Sequence, residues 1–407
     1  MTAEAPHAQP AAPPPERTSA VDAIAREELA AILARGTHRR MRVLDGAQGP
    51  RMSVDGREVL LFAGSNYLDL ATHPEVVEAS ARAARDLGCA AGGSRLISGN
   101  LALHERLEEE LADFLGRPAA LAFGTGYMAN LGVIPALVEA GDAVVSDALN
   151  HASIIDGCRL SRATVRVFAH GDAGALEDVL REVAPRHRRV LLVLDGVYSM
   201  DGDVAPLREL LAAARPFDAI VMVDDAHGTG TLGASGRGTA EALGVEDGVD
   251  VLTGTLGKAL GSFGAFAAGS ARLRELLVNK ARPFIFSCAL APPQVAAARA
   301  ALQVAAREAW RRARLQANAA RLRARLAARG VSTAPSRTHI VPVRMRDNER
   351  TMAVCERLLA RGFYAQGIRF PSVPEGSARL RITPMATHAE AEIDALADAV
   401  AEELAPG

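Results

Sequence analysis

The chain has only four cysteines in 407 residues, and Cys89, Cys158, Cys288 and Cys355 stand far apart, with no CxxC pair. That excludes a disulfide framework and reads as reduced thiols in a cytoplasmic protein. An excess of one charge is lacking too. The 46 Lys and Arg against 48 Asp and Glu leave a formal net charge of -2, and the pI is near 6.6, so nothing draws the whole surface to nucleic acid or to an anionic membrane. No apolar run approaches membrane-spanning length. The opening MTAEAPHAQPAAPPPERTSA is rich in Ala and Pro without an apolar core segment, so it is not a secretory signal, and residues 1–20 are expected to be a disordered tail.

What is present is a 49% hydrophobic fraction beside 23% charged residues, ordinary for a globular protein long enough to hold two domains. A helical pattern runs from Val21 to about Arg35, and RMSVDGREVLLFAG follows as a β-rich passage turning at Asp55-Gly56. PEVVEASARAARDLG opens on Pro74 and stops at Gly88, while HERLEEELADFLG sets Leu107, Leu111 and Phe114 on one face; both predict helices. Short apolar runs come next: AALAFGTG, DAVVSD, TVRVFAH, VLLVLDG, AIVMVDD, VDVLTGT and GAFAAG. Helical stretches such as DAGALEDVLREVA and APLRELLAAA lie between several of them, which predicts a mostly parallel sheet buried on both faces. After Pro292 the spacing predicts one long Arg- and Ala-rich helix over about 293–329, an extended HIVPVRM, the helix TMAVCERLLARG, the strand ARLRIT and a last helix from about Ala389 to Leu404. The organisation expected is a tail (1–20), an N-terminal helix and β segment (21–65), a large α/β domain (66–292) and a smaller α+β C-terminal domain (293–407).

In an open parallel sheet, ligands bind beyond the carboxyl ends of the strands. Here those ends are polar. AIVMV runs into Asp224-Asp225-Ala226-His227, VLLVLDG into Tyr198-Ser199-Met200-Asp201, DAVVSD into Asn150-His151, and AALAF into Gly124-Thr125-Gly126-Tyr127. VDVLTGT stops three residues before Lys258, a lysine set among glycine, threonine, alanine and leucine. Most lysines simply reach solvent, whereas a desolvated one has a lowered pKa and can form a Schiff base. The polar ends gathered around one crevice favour the second alternative. Gly124–Tyr127 precede the helix-like MANLGVIPAL, so backbone N–H groups at a helix N-terminus, with the Thr255 hydroxyl, suit a phosphate. Asp224 suits a pyridinium nitrogen, one imidazole can stack on a ring, and a second with a hydroxyl can hold an oxyanion. The set fits pyridoxal 5′-phosphate.

The plainer alternatives are these. A strand-end Asp or Ser is more often a helix cap than a ligand, and His104, His170, His339 and His388 are read as incidental. GTGTLG at 228–233 matches GxGxxG, but two carboxylates precede it and would repel a pyrophosphate, so a nicotinamide site is rejected. No compact ligand spacing such as HExxH is present, and no metal site is expected.

GGSRLISGN at 92–100, DALNHASIIDGCRLS at 147–161, DGVYSMDGDVAPL at 195–207, VDDAHGTGTLG at 223–233, TGTLGKALG at 253–261 and SVPEGSARLRITP at 372–384 resemble the α-oxoamine synthases. These are pyridoxal-phosphate enzymes on the fold-type I, aspartate aminotransferase-like α/β fold, and the likeness covers about residues 25–405 in unbroken order. It implies that Lys258 is the Schiff-base lysine, that Asp224 pairs with the pyridinium nitrogen, that His151 stacks on the ring, and that Ser199 and His227 hold the phenolic oxygen. It implies phosphate contacts from Gly126, Tyr127 and Thr255, with Ser287 reaching in from the partner of a homodimer with shared sites. Asn66, Ser94 and Arg381 fall on the substrate side, the arginine as a carboxylate clamp.

The implied reaction condenses an amino acid with an acyl-CoA or acyl-carrier protein thioester, with loss of CO2. Within the family, the segments around 38–74 and 88–161 look most like the branch that joins L-alanine to a pimeloyl thioester in biotin formation. Leu96 stands where a succinyl-using branch has asparagine, which argues against that donor. A serine palmitoyltransferase-like donor and amino acid stay open, as does, more remotely, a non-catalytic scaffold subunit; such subunits usually lose the lysine. Two positions depart from the family pattern: Asp69 replaces a glycine in the entry loop, and Phe370-Pro371-Ser372 replaces a commoner PPT.

Overall fold

The computed structural model describes residues 19–405, so nearly all of the tail expected over 1–20 lies outside the described residues. The chain forms two compact units, one ending at Arg42 and the other beginning at Val43. The first holds the helix Ala20–Ala34, opened by a capping box in which the Asp22 N–H donates to the Ser19 hydroxyl at 3.1 Å and the Asp22 carboxylate accepts from the Ser19 N–H at 3.0 Å. The strands Arg51–Val54 and Arg57–Leu61 belong to the second unit.

In that unit, each apolar run of the central chain becomes a strand. The seven-stranded sheet runs 119–123, 265–269, 251–255, 220–224, 190–195, 143–147, 164–168. Every pairing is parallel except those of Ala265–Gly269, which lies antiparallel to both neighbours. Successive side chains point to opposite faces, and both faces are buried: Leu192 and Leu194 enter one apolar cluster, Leu191 and Val193 the other. At roughly 25 cal/mol per Å² of apolar surface removed from water, this double burial is the main source of the sheet's stability. Six strands run the same way, so Phe123, Asp147, Phe168, Asp195, Asp224 and Thr255 all end at one edge of the sheet.

The C-terminal part is a three-stranded antiparallel sheet, 341–346, 378–382 and 366–368, packed through a third apolar cluster against the helices Trp310–Ala328, Asn348–Ala360 and Glu390–Leu404. The hairpin Arg51–Val54/Arg57–Leu61 turns at Asp55 and Gly56, with φ of 50° and 79°, as a two-residue type I′ turn requires. Its second strand pairs in parallel with Phe363–Tyr364. The single helix expected over 293–329 is two, Pro292–Arg307 and Trp310–Ala328. The break lets the Arg311 guanidinium turn in and donate to the carbonyl of Leu68 at 2.9 Å and to the Glu308 carboxylate at 2.7 Å.

The entry loop resolves one departure from the family pattern. Asp69 has φ of 55°, the left-handed conformation a glycine would take freely. Its carboxylate holds that conformation by accepting from Thr72 at 3.1 Å, from the Asn66 amide at 3.2 Å and from Thr387 at 2.7 Å.

Candidate active site

Beyond the polar strand ends lies a cavity of about 210 Å³, walled by Gly126, Tyr127, His151, Ser153, Asp195, Ser199, Asp224, Ala226, His227, Thr255 and Lys258. Eight of the twelve residues assigned a site role from the sequence, Gly126, Tyr127, His151, Ser199, Asp224, His227, Thr255 and Lys258, line this one space. Each is delivered by local structure. Thr125 caps the helix Gly126–Leu137 by accepting from the Met128 N–H at 3.1 Å, and the first two residues of that helix, whose N–H groups have no intrahelical acceptor, line the cavity. His151 caps the helix Ala152–Ser161, with its own N–H donated to Asp195 at 2.8 Å.

The Lys258 amine lies 2.9 Å from Nε2 of His227, whose Nδ1 lies 2.9 Å from the Tyr67 hydroxyl. Burial lowers the pKa of Lys258, against the opposing pull of Tyr67 and Asp224. Burial, joined by the charges of Lys258 and Arg381, holds His227 well below its ordinary value, so the ring is neutral. His151 is open to the cavity, yet the surrounding protein desolvates it enough to lower its pKa as well. The Asp224 carboxylate accepts from the Asn130 amide at 2.6 Å and from the Ala226 N–H at 3.1 Å. Burial, with Asp224 behind it, pushes the Asp195 carboxyl well above the usual carboxylate range.

The other assigned residues sit elsewhere. Arg381, on the strand Ala378–Ile382, stands just behind the wall: Nε donates to the Ser199 carbonyl at 2.6 Å and Nη2 to the Tyr67 hydroxyl at 3.3 Å. The Asn66 amide is consumed by its own loop, donating to the Gln48 carbonyl at 2.7 Å and accepting from the N–H groups of Leu70 and Ala71 at 3.0 and 3.2 Å. Ser94 bridges to Cys288, which places it beside Ser287; Ser287 lines a different cavity with Arg95 and His104.

Four participants escaped the sequence reading. Tyr67 follows Asn66 directly. Asn130 stands four residues after Gly126 and so on the same helix face. Ser153 lies 2.8 Å from Nδ1 of His151 and accepts from Asn130 at 2.9 Å. Asp195 ends a strand just as Asp224 does, a signal that was there to use. The first glycine of the GxGxxG run, Gly228, also finds its cause, while a Cβ on Gly230 or Gly233 would meet Ala259 or Glu241 instead. Asp225 is buried, bonded to the Thr239 N–H at 2.7 Å, and a Cβ on Gly196, Gly228 or Gly238 would collide with its carboxylate. Those glycines make room for an acid, not for a dinucleotide.

The aminotransferase class I and II family model matches residues 57–400. The chain is similar to the 8-amino-7-oxononanoate synthase of Geobacter metallireducens, 54% identical over 369 residues that cover 90% of this chain and 94% of that one. It is 50% identical to that of Geobacter sulfurreducens over 379 residues, 92% and 96% of the two chains. Among solved structures, the serine palmitoyltransferase of S. paucimobilis with a bound PLP–myriocin adduct has a TM-score of 0.89 at 33% identity, over 95% of this chain and 98% of that one. The 8-amino-7-oxononanoate synthase of Francisella tularensis has a TM-score of 0.74 at 25% identity, over 85% and 98%. Matched over residues 57–400 by the family model and 54% identical over 90% of its length to an 8-amino-7-oxononanoate synthase, the chain belongs to the class I and II aminotransferase family and, within it, to the α-oxoamine synthases.

Proposed function

We propose that this protein is an 8-amino-7-oxononanoate synthase, joining L-alanine to a pimeloyl thioester with loss of CO2 and release of the carrier thiol. The observation that carries the reading is the Lys258 amine, desolvated and 2.9 Å from His227, in a cavity that also holds Asp224 and His151. The identity of 54% to a protein of that name supports the choice of branch.

Pyridoxal 5′-phosphate is the cofactor, and the donor set fits it. Lys258 would hold its carbonyl carbon, Asp224 its ring nitrogen and His151 one ring face. Ser199 and His227 would hold its phenolic oxygen, and Gly126, Tyr127 and Thr255 its phosphate. At Gly126 a Cβ would meet nothing within 4 Å, so the helix start has open space beside it for an anion. When bound, the cofactor supplies the electron sink that makes the amino-acid Cα–H acidic. The chain's own groups do the rest. Lys258, its pKa lowered by burial, takes the proton from Cα as general base. Asp224, fixed by Asn130 and the Ala226 N–H, would present its carboxylate to the ring nitrogen. Arg381 spends Nε and Nη2 on the protein, and Nη1 is the nitrogen that would receive the substrate carboxylate.

The protein works as a cytoplasmic homodimer. Ser94 and Ser287 lie together away from the lining of their own Lys258 cavity, beside exposed Leu96, Ile97 and Phe286, as suits side chains that serve a partner's site. The expected division into a large domain (66–292) and a small one (293–407) belongs to the same reading. Among the described residues, no helix is long and apolar enough to cross a membrane.

A second reading, serine with a long acyl chain, is favoured by the TM-score of 0.89 to a serine palmitoyltransferase. The test is an assay of purified, cofactor-loaded protein with L-alanine and pimeloyl-CoA, pimeloyl-carrier protein, or L-serine and palmitoyl-CoA. Faster turnover of serine with palmitoyl-CoA would replace the first reading by the second. The comparison of the two pimeloyl donors names the carrier.

A further inference from the structure

The hydrogen-bond chain from Arg381 to Lys258 has only one direction that satisfies every member. A guanidinium can donate and cannot accept, so Nη2 of Arg381 donates to the Tyr67 oxygen, 3.3 Å away. The Tyr67 hydroxyl hydrogen is then free for Nδ1 of His227, at 2.9 Å. A neutral imidazole carries one hydrogen, which Tyr67 places on Nε2, aimed at the Lys258 amine 2.9 Å away. That amine must accept, and only an unprotonated amine has a lone pair to do so. A protonated lysine needs the reverse: Nε2 as acceptor, the imidazole hydrogen on Nδ1, and a Tyr67 oxygen facing two donors with its own hydrogen unpaired.

We propose that Tyr67 is a positioning residue that locks His227 in the Nε2–H tautomer and thereby keeps the Lys258 amine as the free base, with Arg381 setting the direction of the chain. The inference rests on the roles assigned above to Lys258 and Arg381. Tyr67 is well built for the task. It is completely buried, and its ring packs at 4.0 Å between centroids against His339. Both nitrogens of His339 are buried without a partner, and burial drives its pKa down to about 3, so it stays neutral and adds no charge beneath the phenol. The other ionisable groups around the lysine are Asp224, Asp195 and His151. The two acids favour a charged lysine, as the charge of a Tyr67 phenolate also would, and Arg381 opposes it. With its proton in place Tyr67 acts instead through the His227 tautomer, on the side of Arg381 and against the acids.

The chain makes the test direct, because Lys258 and Lys280 are its two lysines, and Lys280 is exposed. Full-length, cofactor-free protein is pulse-labelled with formaldehyde and cyanoborohydride from pH 6 to 11, and the two lysine peptides are read separately by mass spectrometry. In Tyr67→Phe the labelling midpoint of Lys258 is expected to rise by about one pH unit, with that of Lys280 unmoved. An unmoved Lys258 midpoint in a folded variant overturns the proposal. Should Tyr67→Phe not fold, ¹⁵N NMR of histidine-labelled wild type decides: a protonated Nδ1 on His227 overturns it, a protonated Nε2 supports it. Neither readout involves substrate, so a failed condensation assay would strike the proposed function and leave this result standing.

Discussion

The Asn130 side-chain amide stands 2.6 Å from the Asp224 carboxylate and 2.9 Å from the Ser153 hydroxyl, while its oxygen accepts from Thr253 at 3.2 Å. One buried amide thus ties the acid expected at the cofactor ring nitrogen to the serine beside His151. A hydrogen bond to a charged group contributes on the order of 1.5–3 kcal/mol. Asn130→Ala is therefore expected to weaken retention of pyridoxal phosphate by roughly tenfold or more, measured by dialysis and visible absorbance. Retention equal to wild type would mean that Asp224 needs no such support.

Lys258→Ala is expected to abolish turnover while leaving circular dichroism and oligomeric state unchanged. Borohydride treatment of cofactor-loaded wild type should place the cofactor's mass on the Lys258 peptide alone, with none on Lys280. Substantial activity in the variant removes Lys258 from the mechanism.

Arg381→Ala tests the carboxylate clamp proposed for this guanidinium. The expected result is a KM for the amino acid raised about 10- to 100-fold, with a much smaller change in that for the acyl donor. Equal effects on both would assign Arg381 to the wall alone.

His170 is wedged between two acids, Nδ1 at 2.9 Å from Asp147 and Nε2 at 2.8 Å from Asp203. Its bonds to Asp147 and then to Asp203, against burial, push its pKa up to about 10. The folded state thus binds this proton more tightly than the unfolded chain. The stabilisation is complete below pH ~6.5, declines as pH rises, and is gone above about 10. The stability gap between wild type and His170→Gln should be widest at pH 6, on the order of a few kcal/mol, and should close by pH 10. A gap that is flat across this range, by urea denaturation, refutes the charged pair.

Asp69 offers a backbone test. At φ of 55° a Cβ is strained by about 1–2 kcal/mol, and only the carboxylate's bonds compensate. Asp69→Ala loses those bonds and keeps the strain, whereas Asp69→Gly loses both. Glycine should therefore be the more stable replacement by about 1 kcal/mol; an alanine variant with the higher denaturation midpoint would contradict the account.

Much of this was legible along the chain because it is local. Seven apolar runs gave seven strands, and strand direction alone carried Asp224, His227, His151, Ser199 and Lys258 to one edge. What escaped is long-range. The pairing of Phe363–Tyr364 with Leu60 and Leu61 has no local signature in two residues. The break between Arg307 and Trp310 lacks proline and glycine, and comes instead from where Arg311 finds carbonyl partners. The Tyr67–His227 contact spans 160 residues, so no spacing could announce it.

The antiparallel strand Ala265–Gly269 has one more consequence. It makes the segment carrying Lys258 a short span between adjacent strands, stitched by Leu256 N–H to Gly264 O, Ser262 N–H to Leu256 O and Gly261 N–H to Lys258 O, each 2.9 Å. The backbone beneath the lysine is a fixed mount. Whatever the amine must reach or release in a cycle, it does by rotation about its own flexible carbon stem, so the pace of its exchange is that of a side chain turning in place and not of a loop swinging open.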